Sequence, residues 1–264
     1  MNERPYFTII IPIFNCASSL DTLINSVQYQ IFTKWECLII DDQSTDISYH
    51  RAIELSKSNR FEVLRTTHEK KRKDPSVPRN LGISRSRGLY ICFLDADDIW
   101  LSNHLLNIYN ATVRDPCITV AFTAYFRKQK GHVRRRHYLL KPVPVGMSLL
   151  FFNPIPLSGS CIKSSAVRFL FPDHPHEDYL FWRLNLPLAS TTRIAYIDTP
   201  SMIYTVDNLS ISGNKLLSVI WMIKCYKYLG YNPVTMILAF IVYCLMQLCF
   251  LALDQCPIQI DSKM

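Results

Sequence analysis

The chain has 264 residues, of which 49% are hydrophobic and 19% are charged. This composition excludes disordered, collagen-like and coiled-coil proteins, and the length predicts one domain or one domain with an appendage. Lysine and arginine total 29 against 21 acidic residues, and the formal net charge of +8 favours an anionic partner such as nucleic acid, a phosphorylated substrate or anionic lipid. The nine cysteines form no CxxC pair, so a reduced, cytoplasmic chain is expected rather than a disulfide framework or zinc module.

Apolar runs alternate with helical patterns over residues 1–100. This alternation predicts an α/β fold with a doubly wound, mostly parallel sheet flanked by helices. In such sheets, ligands bind at the carboxyl ends of the strands. The predicted strands are Phe7–Pro12, Trp35–Ile40, Phe61–Arg65 and Leu89–Leu94, and the predicted helices are Ser18–Gln30, Tyr49–Lys57 and Arg79–Arg87.

Carboxylates follow two of these predicted strands. Asp41 and Asp42 come after the second strand, and Asp95, Asp97 and Asp98 come after the fourth. Because the carboxyl ends of parallel strands meet at one edge of a sheet, both acidic clusters are expected at one crevice. Carboxylates two positions apart in a turn can share one hard divalent cation, and such an ion can clamp a diphosphate. The alternative is ordinary turn and cap chemistry, with Asp98 as a helix N-cap.

A third acidic motif, His176-Glu177-Asp178, opens an aromatic segment that predicts a helix over Glu177–Leu186. A carboxylate at this junction can act as a general base whose pKa is tuned by its surroundings. The alternative is that the acids stabilise the positive end of the helix dipole. The spacing alone leaves both interpretations open.

The rest of the chain is less regular and more basic. Seven basic residues and no acid lie between Tyr125 and Gly146, which predicts either a solvated loop or a docking surface for an anionic lipid or diphosphate. Lys70–Lys73 forms a smaller basic loop with the same two interpretations. The other predicted elements are a helix at Leu101–Arg114, a strand at Thr119–Arg127, a loop at Lys141–Pro156 and short strands at Ile194–Ile197 and Met202–Val206.

Val234–Leu253 is a stretch of twenty residues without a charge. About 20 apolar residues are enough for a helix to cross a bilayer. The segment is therefore expected to span a membrane, to lie against one, or to pack on a second subunit.

Five motifs occur in the order FTIIIPIFN, LIIDDQSTD, PRNLGI, CFLDADDIW and HEDYLFW. In this order they resemble the signatures of family 2 glycosyltransferases, which have the GT-A fold. The resemblance runs from about Phe7 to Ser212 and implies an inverting enzyme that uses a nucleotide-sugar donor and a divalent metal, Mn²⁺ or Mg²⁺. It implies a GT-A domain at 1–212, with a nucleotide-sugar half at about 1–100 and an acceptor half at about 101–212. A helical, membrane-associating segment would follow at 213–264.

The resemblance also implies roles for individual residues. Asp178 matches the catalytic base, with Glu177 as its usual neighbour. Asp97 matches the metal ligand, and Asp95 would support the metal or the ribose. The implied donor-binding residues are Pro12 and Phe14 at the nucleotide, Asp42 at the base with Asp41 beside it, and Arg79 at a phosphate with Asn80 beside it.

One segment departs from the family pattern. Many relatives carry a Tyr-Arg-x-His sequence after the base, where this chain has Tyr204-Thr205-Val206-Asp207. The resemblance therefore assigns that loop no contact with the donor phosphates. Either Asp207 assists the metal instead, or the basic loops supply the missing phosphate contact.

The layout resembles bacterial enzymes that build O-antigen or capsule repeat units on undecaprenyl-diphosphate-linked sugars. The expected reaction transfers galactose or glucose, in β-1,3 linkage, from a UDP-sugar to an acceptor such as GlcNAc-diphosphoundecaprenol at the cytoplasmic face of the inner membrane. The alternative is an inactive, nucleotide-sugar-binding or scaffold protein. A nucleotidyltransferase is disfavoured because no glycine follows the first strand, and nucleic acid is set aside because no recognition motif is present.

Overall fold

The computed structural model describes residues 4–67, 75–129, 132–136, 148–186, 193–205 and 215–254. The basic loop Lys70–Lys73 and Asp207 lie outside these residues. The strands are β1 Phe7–Ile13, β2 Trp35–Asp41, β3 Phe61–Arg65, β4 Tyr90–Phe93, β5 Ile99–Trp100, β6 Ile118–Thr123, β7 Tyr125–Gln129, β8 His132–Arg136, β9 Ser160–Lys163, β10 Arg193–Ile197 and β11 Met202–Thr205. The helices are α1 Leu20–Gln28, α2 Ser48–Leu55, α3 Ser76–Arg85, α4 His104–Arg114, α5 Glu177–Asn185, α6 Lys215–Tyr228 and α7 Pro233–Asp254.

The central sheet has seven strands in the order β10-β6-β9-β4-β1-β2-β3. Strand β1 lies between β2 and β4 and is parallel to both, and β3 continues parallel to β2. Strand β9 runs antiparallel between β4 and β6. The predicted α/β fold with a mostly parallel sheet of GT-A type is therefore confirmed.

Helices cover both faces of this sheet. Successive strand residues point to opposite faces, so each strand contributes side chains to two separate clusters. Ile10 on β1 belongs to a cluster with the aromatic side chains of α5, whereas Ile9 belongs to a second cluster with the apolar sides of α1 and α4. Gly82 lets α3 approach the first face closely. A Cβ at Gly82 would lie 2.6 Å from Cγ2 of Ile10 and 2.9 Å from Cδ1 of Ile40, so only glycine fits there without a shift of its neighbours.

A second sheet of four strands, β5-β11-β7-β8, corrects two predictions. The single strand predicted at Thr119–Arg127 is in fact two strands. The first, β6, ends before Ala124 in the central sheet, and the second, β7, begins after it in the four-stranded sheet. Part of the basic stretch after Tyr125 is strand and not loop, since β7 and β8 pair in antiparallel orientation with Arg127 opposite Arg134. Charged side chains indicate exposure to solvent, but they do not prevent the backbone from forming hydrogen-bonded strands.

The C-terminal helices pack on the same core as the strands. Met222 and Tyr226 of α6 and Ala239 and Tyr243 of α7 are buried in the cluster that contains Ile10. Within the described residues, no helix is both long and apolar enough to cross a membrane. The opposite side of α7 exposes a stripe of apolar side chains at helical spacing, namely Val234, Ile237, Leu238, Ile241, Leu245 and Leu248.

Candidate active site

The parallel register brings the two acidic strand ends to one edge of the sheet. Ile13, the last residue of β1, pairs with Asp41 at the end of β2, and the N–H of Asp42 donates to the carbonyl of Ile13 at 2.8 Å. On the other side of β1, the N–H of Leu94 donates to the carbonyl of Ile10 at 3.1 Å, just before Asp95. Because β1 lies between β2 and β4 and neighbouring strands lie about 4.8 Å apart, the two acidic strand ends are about 10 Å apart.

Asp41 and Asp42 are both buried, but they have different partners. Asp41 has no exposed surface, and its Oδ2 lies 3.0 Å from Nε of Arg65 and 3.2 Å from the N–H of Ser44. Oδ1 of Asp42 accepts from Oγ1 of Thr66 at 2.8 Å. Asp41 therefore holds the loop after β2 in place. The expected base contact of Asp42 stays a prediction.

The loop after β1 is fastened to the loop after β2. Pro12 and Phe14 are half-buried at this junction. Oδ1 of Asn15 accepts from the N–H of Thr45 at 2.8 Å, and the N–H of Asn15 donates to Oγ of Ser44 at 3.0 Å. These cross-loop bonds fix the walls of the expected nucleotide pocket.

Three non-glycine residues of the described chain have a positive φ, and all three border the acidic motifs. They are Asn15 at 45°, Gln43 at 61° and His176 at 58°. A side chain in this left-handed region costs about 1–2 kcal/mol, and such strain clusters at functional sites. Asparagine adopts this region readily, so the backbone strain lies at Gln43 and His176, next to two of the acidic motifs.

The turn after β4 carries three aspartates in different environments. The N–H of Asp95 donates to Oγ of Ser158 at 3.1 Å, and Asp97 is exposed. Asp98 is buried, and its Oδ1 accepts from the N–H of Thr205 at 3.1 Å. Burial, followed by the charges of Asp95 and Asp97, raises the pKa of Asp98 well above its usual range. The turn therefore concentrates negative charge.

The N-cap alternative for Asp98 is wrong. Strand β5 follows the turn directly, and α4 begins only at His104, with Asn103 at the N-cap position. The carboxylate of Asp98 instead ties the acidic turn to the end of β11.

The donor set at this turn fits a hard divalent cation. Within the described part of the chain, no group of three or more His, Cys, Asp or Glu side chains forms a metal cage. Asp95 and Asp97 supply two carboxylates on one turn. An ion held by one or two carboxylates completes its shell with water and substrate phosphates, as is usual for Mg²⁺. The turn thus suits an ion shared with a diphosphate.

Arg79 joins the acidic turn to the HED motif. Its side chain is 6% exposed, with Nη2 2.5 Å from Oδ1 of Asp95 and Nη1 2.6 Å from Oε1 of Glu177. Burial alone would lower the pKa of Arg79, but the charges of Asp95 and Glu177 outweigh it and raise that pKa. Burial also raises the pKa of Glu177, against the opposing effect of Arg79. With both terminal nitrogens engaged by carboxylates, Arg79 acts here as a bridge, and its phosphate contact stays a prediction.

Asn80 fastens the same helix to the segment before α5. Its Nδ2 donates to the carbonyl of Phe171, and its Oδ1 accepts from the N–H of Phe171, both at 2.8 Å. The ring of Phe171 stacks on Phe181 of α5 with centroids 4.0 Å apart. Helix α3 therefore positions the HED motif through Arg79 and Asn80 together.

Asp178 lies in the first turn of α5 and is half-buried. Nδ2 of Asn153 donates to its Oδ2 at 2.8 Å. Sequence reasoning missed both Asn153 and Ser158, which fall in a segment predicted as loop or left unassigned. The one local signal is Pro154 and Pro156, which restrict the backbone next to Asn153.

The structure thus groups most of the predicted site residues into two sets, one at the ends of β1 and β2 and one around the turn after β4. Asp95, Arg79, Glu177 and Asp178 are linked through side-chain contacts or adjacency in sequence. The other set, at the expected nucleotide pocket, comprises Pro12, Phe14, Asp41 and Asp42.

Comparison with known proteins identifies a family, and relatives that match over most of their length. A family model described as Glycosyl transferase family 2 matches residues 8–170. An uncharacterized glycosyltransferase of Haemophilus influenzae is 27% identical over 226 residues, covering 85% of this chain and 88% of that protein. The Escherichia coli UDP-Glc:alpha-D-GlcNAc-diphosphoundecaprenol beta-1,3-glucosyltransferase WfaP is 25% identical over 224 residues, covering 84% of this chain and 86% of that protein.

A solved structure shows the same fold. The mannosyltransferase PcManGT from Pyrobaculum calidifontis, in complex with GDP-Man and Mn²⁺, matches with a TM-score of 0.65 at 16% identity. The match covers 90% of this chain and 69% of that chain.

Proposed function

The chain belongs to glycosyl transferase family 2 and is a glycosyltransferase, and we propose that it is an inverting enzyme for a lipid-linked acceptor. In this proposal it transfers glucose or galactose, in β-1,3 linkage, from a UDP-sugar to an acceptor such as GlcNAc-diphosphoundecaprenol. The observation that carries the proposal is the bridge of Arg79 between Asp95 and Glu177, because it places the acidic turn and the HED motif in one site. The name of the whole-length relative WfaP supports the donor and acceptor.

Asp178 is the proposed general base. One oxygen, Oδ2, accepts from Asn153, and Oδ1 has no hydrogen-bond donor within the described residues. Oδ1 can therefore take the proton of an acceptor hydroxyl. The hydroxyl oxygen forms the new bond to the anomeric carbon as the bond from that carbon to the diphosphate oxygen breaks. A single in-line displacement inverts the configuration, so no covalent nucleophile is needed.

The nucleoside of the donor is assigned to the ends of β1 and β2, and its diphosphate to the turn after β4. Asp42 would accept from the base, and Pro12 and Phe14 would line the nucleotide pocket. Asp95 and Asp97 would hold a divalent metal, Mn²⁺ or Mg²⁺. Such an ion, when bound, supplies positive charge for the leaving diphosphate.

The exposed stripe of α7 is assigned to the surface of an anionic membrane, where a lipid-linked acceptor would be reached. About half or more of each of its six side chains is exposed, from 48% at Ile241 to 68% at Val234. Lys224, Lys227 and Tyr228 of α6 are also exposed, and basic and aromatic side chains favour the headgroup region of anionic bilayers. The proposed location is the cytoplasmic face of the inner membrane, with 213–264 as the membrane-associating segment.

A panel of UDP-sugars with a synthetic GlcNAc-diphosphate-lipid acceptor tests this function, with the product linkage determined by NMR. We expect Asp178→Asn to lose nearly all transfer while it still binds UDP. Asp115→Asn, which changes a half-buried acid that pairs with Arg193 at 2.8 Å, serves as the charge-matched control. Full transfer by Asp178→Asn would overturn the base assignment. UDP binding without turnover of any donor would favour the inactive, scaffold alternative.

A further inference from the structure

Three tyrosine hydroxyls hold one short backbone segment beside α5, and they donate to three consecutive carbonyl oxygens. One tyrosine belongs to α5, and the other two come from α6 and the turn after it. Because three consecutive carbonyls are bound in this way, the segment is held between α5 and α6. The bonds are Tyr179 Oη to Leu149 O at 3.0 Å, Tyr231 Oη to Leu150 O at 3.2 Å and Tyr226 Oη to Phe151 O at 2.6 Å.

Asn153 follows this segment and reaches Asp178. Its Nδ2 donates to Oδ2 of Asp178 at 2.8 Å, and its Oδ1 accepts from the N–H of Ile155 at 3.1 Å. An ionised carboxylate only accepts hydrogen bonds, so an amide donor is the matching partner. The contact with Ile155 fixes which end of the amide faces Asp178, since the backbone N–H requires the oxygen.

We propose that Asn153 is a positioning residue for Asp178, an inference that rests on the proposed role of Asp178 as the base. A general base works only when its lone pair is aligned with the proton that it removes. By binding Oδ2, Asn153 fixes the rotation of the carboxylate and directs Oδ1 towards the acceptor hydroxyl. The tyrosine bonds make this alignment depend on α6, which lies outside residues 8–170 matched by the family model.

Asn153→Asp separates the two contacts of this side chain. Aspartate keeps an oxygen for the N–H of Ile155 but cannot donate to Asp178 when it is ionised. We expect kcat for transfer from UDP-glucose to a GlcNAc-diphosphate-lipid in detergent to fall about ten- to a hundredfold, the usual worth of a hydrogen bond to a charged group. The KM for the donor should stay within about twofold, because the contact lies on the acceptor side.

Asn232→Asp is the matched control. Oδ1 of Asn232 accepts from the N–H of Thr235 at 2.9 Å, so the substitution keeps a similar local contact and adds the same charge away from Asp178. We expect this variant to keep the wild-type kcat. If Asn153 had only a structural role, Asn153→Asp should also keep the wild-type kcat.

A second measurement does not depend on turnover. Two carboxylates at hydrogen-bond distance repel when both are ionised, so the thermal midpoint of Asn153→Asp should fall relative to wild type between about pH 5 and about pH 8. Asn232→Asp should show no such fall. Wild-type kcat in Asn153→Asp, or a midpoint difference that does not change with pH, would overturn the inference. If Asp178→Asn is inactive while Asn153→Asp is active, only the role of Asn153 fails, whereas an active Asp178→Asn removes the proposed base itself.

Discussion

Nη2 of Arg79 lies 2.5 Å from Oδ1 of Asp95, and the same guanidinium reaches Glu177 through its other terminal nitrogen. These two carboxylates come from stretches of chain about eighty residues apart. A buried arginine with two carboxylates is stable only as a complete set, because each charge left alone in the interior is costly. The bridge therefore makes the acidic turn and the HED motif structurally interdependent.

Arg79→Ala should both destabilise and inactivate the enzyme. Removal of one partner from a buried ionic network costs about 3–5 kcal/mol, because Asp95 and Glu177 would be left without a counter-charge. Arg79→Lys is the control, since it keeps the charge but has one ammonium group in place of the two terminal nitrogens. Its unfolding free energy and its kcat should both lie between those of Arg79→Ala and wild type. Urea unfolding and kcat measure the two effects. An unfolding free energy of Arg79→Ala equal to wild type would show that the bridge is absent in solution.

Asp97→Ala should lower transfer by about a hundredfold or more, the usual cost of removing a group that stabilises developing charge. Transfer should also stop in excess chelator and return when Mn²⁺ is added. The fold of Asp97→Ala should be unchanged because the residue is exposed. Undiminished turnover of the wild type in excess chelator would contradict the assignment of Asp95 and Asp97 to a metal.

His104 should make stability fall with acid. The residue has no exposed surface, its Nδ1 lies 2.9 Å from Oγ of Ser201, and burial lowers its pKa from 6.5 to about 3. Between these two values the unfolded chain binds a proton that the folded protein does not, so the free energy of unfolding decreases as pH falls. From about pH 7 to about pH 5 this contribution is about 2 kcal/mol.

His104→Gln removes this titration, so urea unfolding of the variant and the wild type at both pH values isolates the effect. The stability difference between the two proteins should shift by about 2 kcal/mol in favour of the variant at the lower pH. A difference that is the same at both pH values would mean that His104 titrates normally in the folded protein.

The exposed stripe of α7 should bind vesicles that contain anionic lipid. Replacement of Ile237 and Leu245, which are 61% and 56% exposed, by Gln should weaken co-sedimentation by about tenfold or more, because each loses apolar surface that a bilayer would bury. Ile47→Gln is the control, since Ile47 is 66% exposed at the start of α2. Equal binding by the double variant and the control would place the membrane contact elsewhere.

Three of the parallel strands could be predicted closely from the sequence. The prediction for β3 matches the structure, Phe61–Arg65, and β1 and β2 each extend one residue further than predicted. Continuous apolar runs identify β1 and β2 because both of their faces are covered, whereas the edge strand β3 is only half-buried. The short strands β5 and β9 were not predicted, since β5 has two residues and β9 mixes polar and apolar ones. Such strands are defined by the neighbours that pair with them.

The site was predictable in its parts but not in its connections. The acids at the ends of β2 and β4 indicated one crevice, because the alternating pattern predicts parallel strands, whose carboxyl ends lie at one edge of the sheet. The bond between Arg79 and Glu177 spans 98 positions of sequence, and no local pattern encodes it. The same holds for Asn153 and Asp178, which meet only when the segment held by the tyrosine hydroxyls packs beside α5.

Tyr226 and Met222 of α6 are buried together with residues of the first strand. Helices α6 and α7 therefore form one wall of the folded domain and are not a separable appendage. A shortened protein that stops after 212, made to improve handling, would open this wall to solvent and release the carbonyls of Leu150 and Phe151. Detergent or lipid should be the better route to a well-behaved sample than truncation.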